Sequence, residues 1–248
     1  MELYRFNPSK SLPRKGVLIY VGRTNSGKTF LMRDHLYHLR NDFDIALAMI
    51  GSKDTAYEFE QHIPAINVYD TLDLKKLTRI YEYLEKQKSK ERRGMGKCPR
   101  VVVVIDDMGY KRKNILTSEV FLRIFFNCRH VNMLMLISVQ DCKLVTPSLR
   151  GQVRQVFLCQ EKNPSGRKRV YEAFNPGLDS FQEFDKLFKR YTINYGILVL
   201  NNELANSYDI EDNVFIYKAK DRGKFRVNKK GSMWNHNKRN LNKNHDLK

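Results

Sequence analysis

Eight consecutive residues, Gly22, Arg23, Thr24, Asn25, Ser26, Gly27, Lys28 and Thr29, spell GxxxxGK[ST] between an apolar run, VLIYV, and a helical pattern, FLMRDHLYHL. At average Gly, Lys and Ser/Thr frequencies the pattern arises by chance in roughly one chain in a hundred of this length. The flanking runs turn it into a strand, a loop and a helix, which a chance match has no reason to have. Glycines let such a loop curl so that successive N–H groups point inward at phosphate, and the helix adds the positive end of its dipole. All eight residues are therefore expected to bind nucleotide. Lys28 would reach the β- and γ-phosphates, and Thr29 would offer a hydroxyl to Mg²⁺, which keeps several waters and needs few protein oxygens. ATP and Mg²⁺ are the expected cofactors.

A loop of this kind requires an α/β fold, and the rest of the chain supplies one. Candidate strands at 17–21, 45–50, 66–69, 101–105, 133–139, 156–159 and 197–200 alternate with helical patterns, the sign of a mainly parallel sheet covered by helices on both faces. VVVVI and MLMLISV are nearly uninterrupted apolar runs, as strands buried on both faces should be. Over 72–84 the residues Leu74, Leu77, Ile80, Tyr81 and Leu84 recur three and four apart, and SFQE at Ser180 forms a capping box ahead of Phe181, Phe184, Leu187 and Phe188. With 248 residues, 42% of them hydrophobic, the chain has material for one domain of ordinary size. That domain is expected over 1–217, followed by a basic, flexible tail over 218–248 with Trp234 as its large apolar anchor.

The second chemical signal is Asp106-Asp107-Met108-Gly109, which closes VVVVI and puts two carboxylates at the carboxyl end of a buried strand, where α/β sheets present their ligand-binding edge. Asp106 is placed to hold the Mg²⁺ shell, and Asp107 to orient or deprotonate an attacking water. Gln140 ends MLMLISV and could sense the γ-phosphate or orient water. Arg23, Arg129, Arg150 and Arg154 are candidates for the cation that neutralises transition-state charge, in the same subunit or a neighbour, with Arg150 the first choice. Two further candidate strands lie between Lys28 and Asp106. That interval and the paired acids suit an additional-strand ATPase better than a small kinase or a Ras-type GTPase, and no NKxD base-reading motif is present.

Charge points to the partner. There are 45 Lys and Arg against 27 Asp and Glu, a net +18, and residues 86–100 and 218–248 carry +15 of it between them. The first stretch, KQKSKERRGMGKCPR, reads as a basic surface loop. Such clusters fit a polyanion, because each Lys or Arg that neutralises a phosphate releases counterions. Lys90, Arg92 and Arg93 are the expected DNA contacts, in a loop that precedes the acid-bearing strand and could feel hydrolysis. No apolar run reaches membrane-spanning length and no leader pattern opens the chain. Cys98, Cys128, Cys142 and Cys159 lie far apart, so a soluble, unsecreted protein of a reducing compartment is expected.

Together GRTNSGKT, VVVVIDDMG, FFNCRHVNMLMLISVQ and VTPSLRGQV resemble the FtsK/HerA superfamily of P-loop ATPases, and within it the genome-packaging ATPases of poxviruses, other large DNA viruses and virophages. The resemblance runs over about 17–159. It implies a RecA-like core, ATP hydrolysis with Mg²⁺, a homo-oligomeric ring, usually a hexamer, and translocation of double-stranded DNA into a preformed capsid. Capsid or portal-vertex proteins would then be partners, and the host cytoplasm (virus factory) or the virion the location. Asp107 stands where the wider superfamily often has Glu. The alternatives are a helicase or DNA pump of replication or recombination, a small-molecule phosphotransferase, and a non-catalytic nucleic-acid-binding protein.

Overall fold

The computed structural model describes residues 2–106, 115–203, 209–230 and 233–235. In chain order the elements are β1 (Tyr4–Arg5), α1 (Pro8–Ser11), β2 (Gly16–Val21), α2 (Lys28–Leu39), β3 (Ile45–Ile50), α3 (Lys53–Glu60), β4 (Val68–Tyr69), α4 (Leu74–Arg92) and β5 (Val101–Asp106). There follow α5 (Glu119–Asn127), β6 (Met133–Val139), α6 (Pro147–Arg150), β7 (Val153–Leu158), α7 (Pro164–Phe174), α8 (Phe181–Thr192), β8 (Gly196–Asn201), α9 (Ile210–Asn213) and β9 (Val214–Lys218).

Among the described residues the strands form one sheet in the order β1-β9-β8-β7-β2-β6-β5-β3-β4. Pairing is parallel except where β8 runs antiparallel to β7 and β9. Strand β6 lies between β2, which leads into the 22–29 loop, and β5, which ends in Asp106. This inserted strand is the arrangement expected of an additional-strand ATPase.

Side-chain alternation along each strand feeds two cores. Val101, Val103 and Ile105 of β5 face one layer with Val17, Ile19, Met133 and Met135, beneath α4, α5, α7 and α8. Val102 and Val104 face the other with Leu18, Tyr20, Leu134 and Leu136, beneath α2 and α3. Each fully buried side chain of this size contributes about 1.5–3 kcal/mol, which is why the central strands read as continuous apolar runs. Helix α8 shows the local logic: Ser180 caps it by accepting from the Glu183 N–H at 3.2 Å, and Phe184, Leu187 and Phe188 then fall on its buried face.

Two strands of the sequence reading match the structure residue for residue, at 45–50 and 133–139. The run at 66–69 instead divides into a 3-10 turn, Ala65–Asn67, and the two-residue β4, while β1 and β9 were not foreseen. Both missed strands are at or near a sheet edge, and apart from buried Val214 their residues are half-buried or exposed, so neither carries a strong pattern.

Both basic stretches differ from expectation. Residues 86–92 are helical, the last two turns of α4, because Lys, Gln, Glu and Arg are strong helix formers. The helix ends at Gly94, whose φ is 74°. There the Met95 N–H donates to Lys90 O at 2.9 Å and the Gly94 N–H to Glu91 O at 3.0 Å, a Schellman stop. The described residues after β9 stay on the body. The Val227 N–H donates to His62 O at 2.9 Å, Phe225 stacks on His62 with ring centroids 4.0 Å apart, and buried Trp234 donates from Nε1 to Val227 O at 2.8 Å. The docked segment therefore extends the domain past 217, and 236–248 lie outside the described residues.

Candidate nucleotide site

The loop between β2 and α2 is shaped by two glycines. At Gly22 a Cβ would lie 2.4 Å from Ser26 Oγ and 2.7 Å from Cys159 Cβ, so no larger residue fits. Gly27 adopts φ 88° as the N-cap of α2, and Asn25 φ 62°. The loop closes on itself through the Ser26 N–H to Arg23 O at 3.2 Å, and Lys28 folds over it to donate from Nζ to Arg23 O at 2.7 Å. Lys28 is buried, and its charge opposes the effect of burial on the adjacent Cys159, whose thiol is pushed up to about 11.

Asp106 completes the inner edge. Its Oδ2 accepts from Thr29 Oγ1 at 2.6 Å, and its Oδ1 accepts from Ser138 Oγ on β6. The carboxylate is 1% exposed. A hydroxyl and a carboxylate facing each other beside a phosphate-type loop are hard oxygen donors, the set that Mg²⁺ prefers, so the residues present suit that ion. Residues 77 positions apart meet here because β6 spaces β2 from β5 by one strand.

Above the loop lies a cleft of about 990 Å³. Besides loop residues, its wall includes Gln140 and Asp141 after β6, Glu161 after β7, Arg169 on α7, and Asn194 and Tyr195 before β8. Arg23, whose side chain is 65% exposed, comes within 3.8 Å of Glu161. Asn194 and Tyr195 are consecutive left-handed residues, with φ 51° and 61°. For a bulky side chain that conformation costs roughly 1–2 kcal/mol.

The structure thus brings together Gly22 to Thr29, Asp106 and Gln140. It does not bring Arg150 to the cleft: the Arg150 Nε donates to Val145 O at 2.8 Å and its guanidinium lies 5.5 Å from the Phe174 ring. Asp107 falls outside the described residues. Lys90 and Arg92 lie in the last turn of α4, and Arg93 is its C-cap. The stretch they begin runs to the start of β5, at Val101, whereas Asp106 ends that strand about 17 Å away at some 3.3 Å per residue. The expectation of a loop is corrected for these residues, which belong to the end of α4; the stretch does precede β5, but at the end of that strand opposite Asp106. Ser138, Glu161, Arg169 and Tyr195 were missed. Only Ser138 left a trace, as the single hydroxyl in MLMLISV.

Fold and site define a P-loop NTPase of the additional-strand class. The chain belongs to the family described as poxvirus A32 protein, whose model matches residues 4–165. It is 28% identical over 222 residues to uncharacterized protein 088R of Invertebrate iridescent virus 3, covering 88% of this chain and 82% of that one. With uncharacterized protein L437 of Acanthamoeba polyphaga mimivirus it shares 24% identity over 224 residues, 89% of this chain and 78% of the other. Among solved structures it is similar to the genome packaging NTPase B204 of Sulfolobus turreted icosahedral virus 2 in complex with ATP-gammaS, with TM-score 0.51, 14% identity, and coverage of 86% of this chain and 98% of B204. The conjugation coupling protein TcpA of pCW3 gives TM-score 0.53 at 15% identity, over 86% of this chain and 61% of TcpA. At such identities the likeness to B204 and TcpA is one of fold. No helix among the described residues is long and apolar enough to cross a membrane.

Proposed function

We propose that this chain is a Mg²⁺-dependent ATPase that translocates double-stranded DNA as the genome-packaging motor of a large DNA virus. The observation that carries the reading is the 2.6 Å bond from Thr29 to Asp106 beside the 22–29 loop, with β6 inserted between their strands. Family membership and the likeness in fold to a protein named a genome packaging NTPase support the packaging role.

In this reading the loop N–H groups and Lys28 hold the phosphates. Thr29 and Asp106 would hold the ion, which would draw negative charge from the phosphate oxygens. Ser138 fixes the rotamer of Asp106 by its hydrogen bond to Oδ1. Asp107 deprotonates the attacking water, and Gln140, on the cleft wall, orients it. Arg150 serves a neighbouring subunit in a homo-oligomeric ring, while Arg23 and Arg169 face the cleft of their own chain. Lys90, Arg92 and Arg93 grip the DNA backbone without reading sequence. Capsid or portal-vertex proteins are the further partners, in the virus factory of the host cytoplasm or in the virion.

The test is ATPase turnover with and without duplex DNA, in Mg²⁺ and in EDTA, with the particle mass measured in ATP. Turnover that needs the metal, rises with duplex DNA and belongs to a ring-sized particle is expected. Hydrolysis indifferent to duplex DNA, in a chain that does not bind DNA at low salt, would remove the motor reading. Lys28→Ala should lose nucleotide binding, whereas Asp107→Asn should keep binding and stop turnover.

A further inference from the structure

Tyr195 stands between two hollows. One is the cleft above the phosphate loop; the other is an apolar pocket of about 370 Å³ against Gly27, Phe30, Leu31, Ile197 and Ala219. Ser26 and Tyr195 line both. Leu31 and Ile197 are buried in the floor, but the residues Phe30 and Tyr195 are 37% and 65% exposed.

The position of Tyr195 is not explained by packing. Its side chain is mostly in solvent, yet its backbone is left-handed, directly after a left-handed Asn194. Asn eases that region with a short polar side chain; Tyr has none to offer. The turn is fixed from behind, because a Cβ at Gly196 would lie 2.1 Å from Tyr191 O, so the chain there has no room to relax around a larger residue. Strained residues of this kind persist where the surroundings hold them, and they collect at ligand sites. Here the result is a ring held against the phosphate loop, with Tyr195 Cδ1 only 3.3 Å from where a Gly27 Cβ would be.

We propose that the pocket between Tyr195 and Phe30 takes the base of the nucleotide, held by its flat face. This rests on the nucleotide reading of the 22–29 loop. The connection is continuous along the chain: Lys28 and Thr29 serve the phosphate end, and Phe30 is the next residue of α2. The volume lies in the lower part of the range for small-molecule sites. Apart from Ser26, Lys218 and the hydroxyl of Tyr195 the lining side chains are apolar or glycine, so contact with the ring face outweighs hydrogen bonding to its edge.

Calorimetry on the full chain with ATP and with sodium tripolyphosphate, which carries phosphates and no base, separates the two sites. Wild type should bind ATP more tightly than tripolyphosphate. Tyr195→Asn keeps a residue suited to the left-handed backbone but removes the ring, and it should weaken ATP about 5- to 150-fold while leaving tripolyphosphate within about twofold. Phe30→Ala should act in the same direction, and Tyr195→Phe should restore ATP binding. The proposal is overturned if Tyr195→Asn binds ATP as wild type does, if it weakens both ligands equally, or if it changes particle mass without changing ATP affinity, which would make the pocket a subunit contact. Tripolyphosphate binding as tight as ATP in wild type would leave the loop reading standing and remove the base site. Wild type that binds neither ligand would refute the nucleotide reading and this inference with it.

Discussion

Arg222 returns to the first half of the chain to place its Nε 2.5 Å from Oδ1 of Asp34. Asp34 lies in α2, the helix that starts at Lys28, and its side chain is fully buried. Tyr217 donates its hydroxyl to the other carboxylate oxygen, and His38 lies 2.8 Å from Arg222 Nη2. A buried carboxylate on the helix that follows the phosphate loop is thus neutralised by the segment after β9.

Arg222→Ala should therefore cost about 3 kcal/mol, the low end for breaking a buried pair, because the Arg222 side chain is still 23% exposed. Urea unfolding midpoints of the single variants and of Arg222→Ala with Asp34→Asn measure it. The double variant should recover part of the loss, since it no longer buries an unpaired charge. A loss below about 1 kcal/mol would mean that Tyr217 and His38 satisfy Asp34 without the arginine.

Ser138→Ala takes one hydrogen bond from Asp106 without touching nucleotide or metal. The Mg²⁺ concentration for half-maximal hydrolysis should rise about 10- to 100-fold, the usual effect of losing a partner behind a metal ligand. ATP binding measured in EDTA should stay as in wild type. If the Mg²⁺ dependence does not move, Ser138 serves only the packing of β6.

His35 is fully buried on α2, 2.8 Å from the Tyr20 hydroxyl, and burial holds its pKa well below 6.5. The unfolded chain binds a proton near pH 6.5 that the folded chain refuses, so below that pH unfolding takes up a proton and stability falls as pH drops. The loss approaches about 1.4 kcal/mol per pH unit for this one group until the folded pKa is reached. Above about pH 7.5 the contribution is constant. His38 and His62, both also lowered mainly by burial, add to the same trend. In urea melts at pH 7.5 and 5.5, His35→Gln should show a smaller difference than wild type, and an unchanged difference would assign the acid sensitivity to other groups.

The parts of the fold that read clearly from sequence are those in which one force dominates. VVVVI and MLMLISV are buried on both faces, so their strands show as unbroken apolar runs, and the spacing of Gly22, Gly27, Lys28 and Thr29 is set by the phosphate loop itself. The charge of 86–92 hides its helix in the sequence, because a run of Lys and Arg also suits a solvated loop, although Gly94 marks the helix stop. Nothing local marks Arg222, Phe225 and Val227 as docked, because their anchors, Asp34 and His62, are more than 150 positions away. Tyr195 joins the site through a turn whose left-handed backbone has no residue pattern of its own.

The relocation of Lys90, Arg92 and Arg93 changes what their loss should do. They lie at the edge of the sheet where β5 begins, away from Asp106, so neutralising them should weaken the grip on DNA and not the chemistry. In filter binding to duplex DNA, each residue that contacts a phosphate steepens the fall of log affinity with log salt by about 0.9. Changing all three to Gln should flatten the slope by up to about 2.7 and raise the DNA concentration needed for half-maximal ATPase stimulation. Turnover at saturating DNA should remain within about twofold of wild type, because the end of α4 lies a strand's length from Asp106. Neutralising them should also cut stimulation at limiting DNA more than deleting 231–248 does. A drop in saturated turnover with the salt slope unchanged would instead tie the end of α4 to the hydrolysis step, and a larger effect from the deletion would move the DNA grip to the end of the chain.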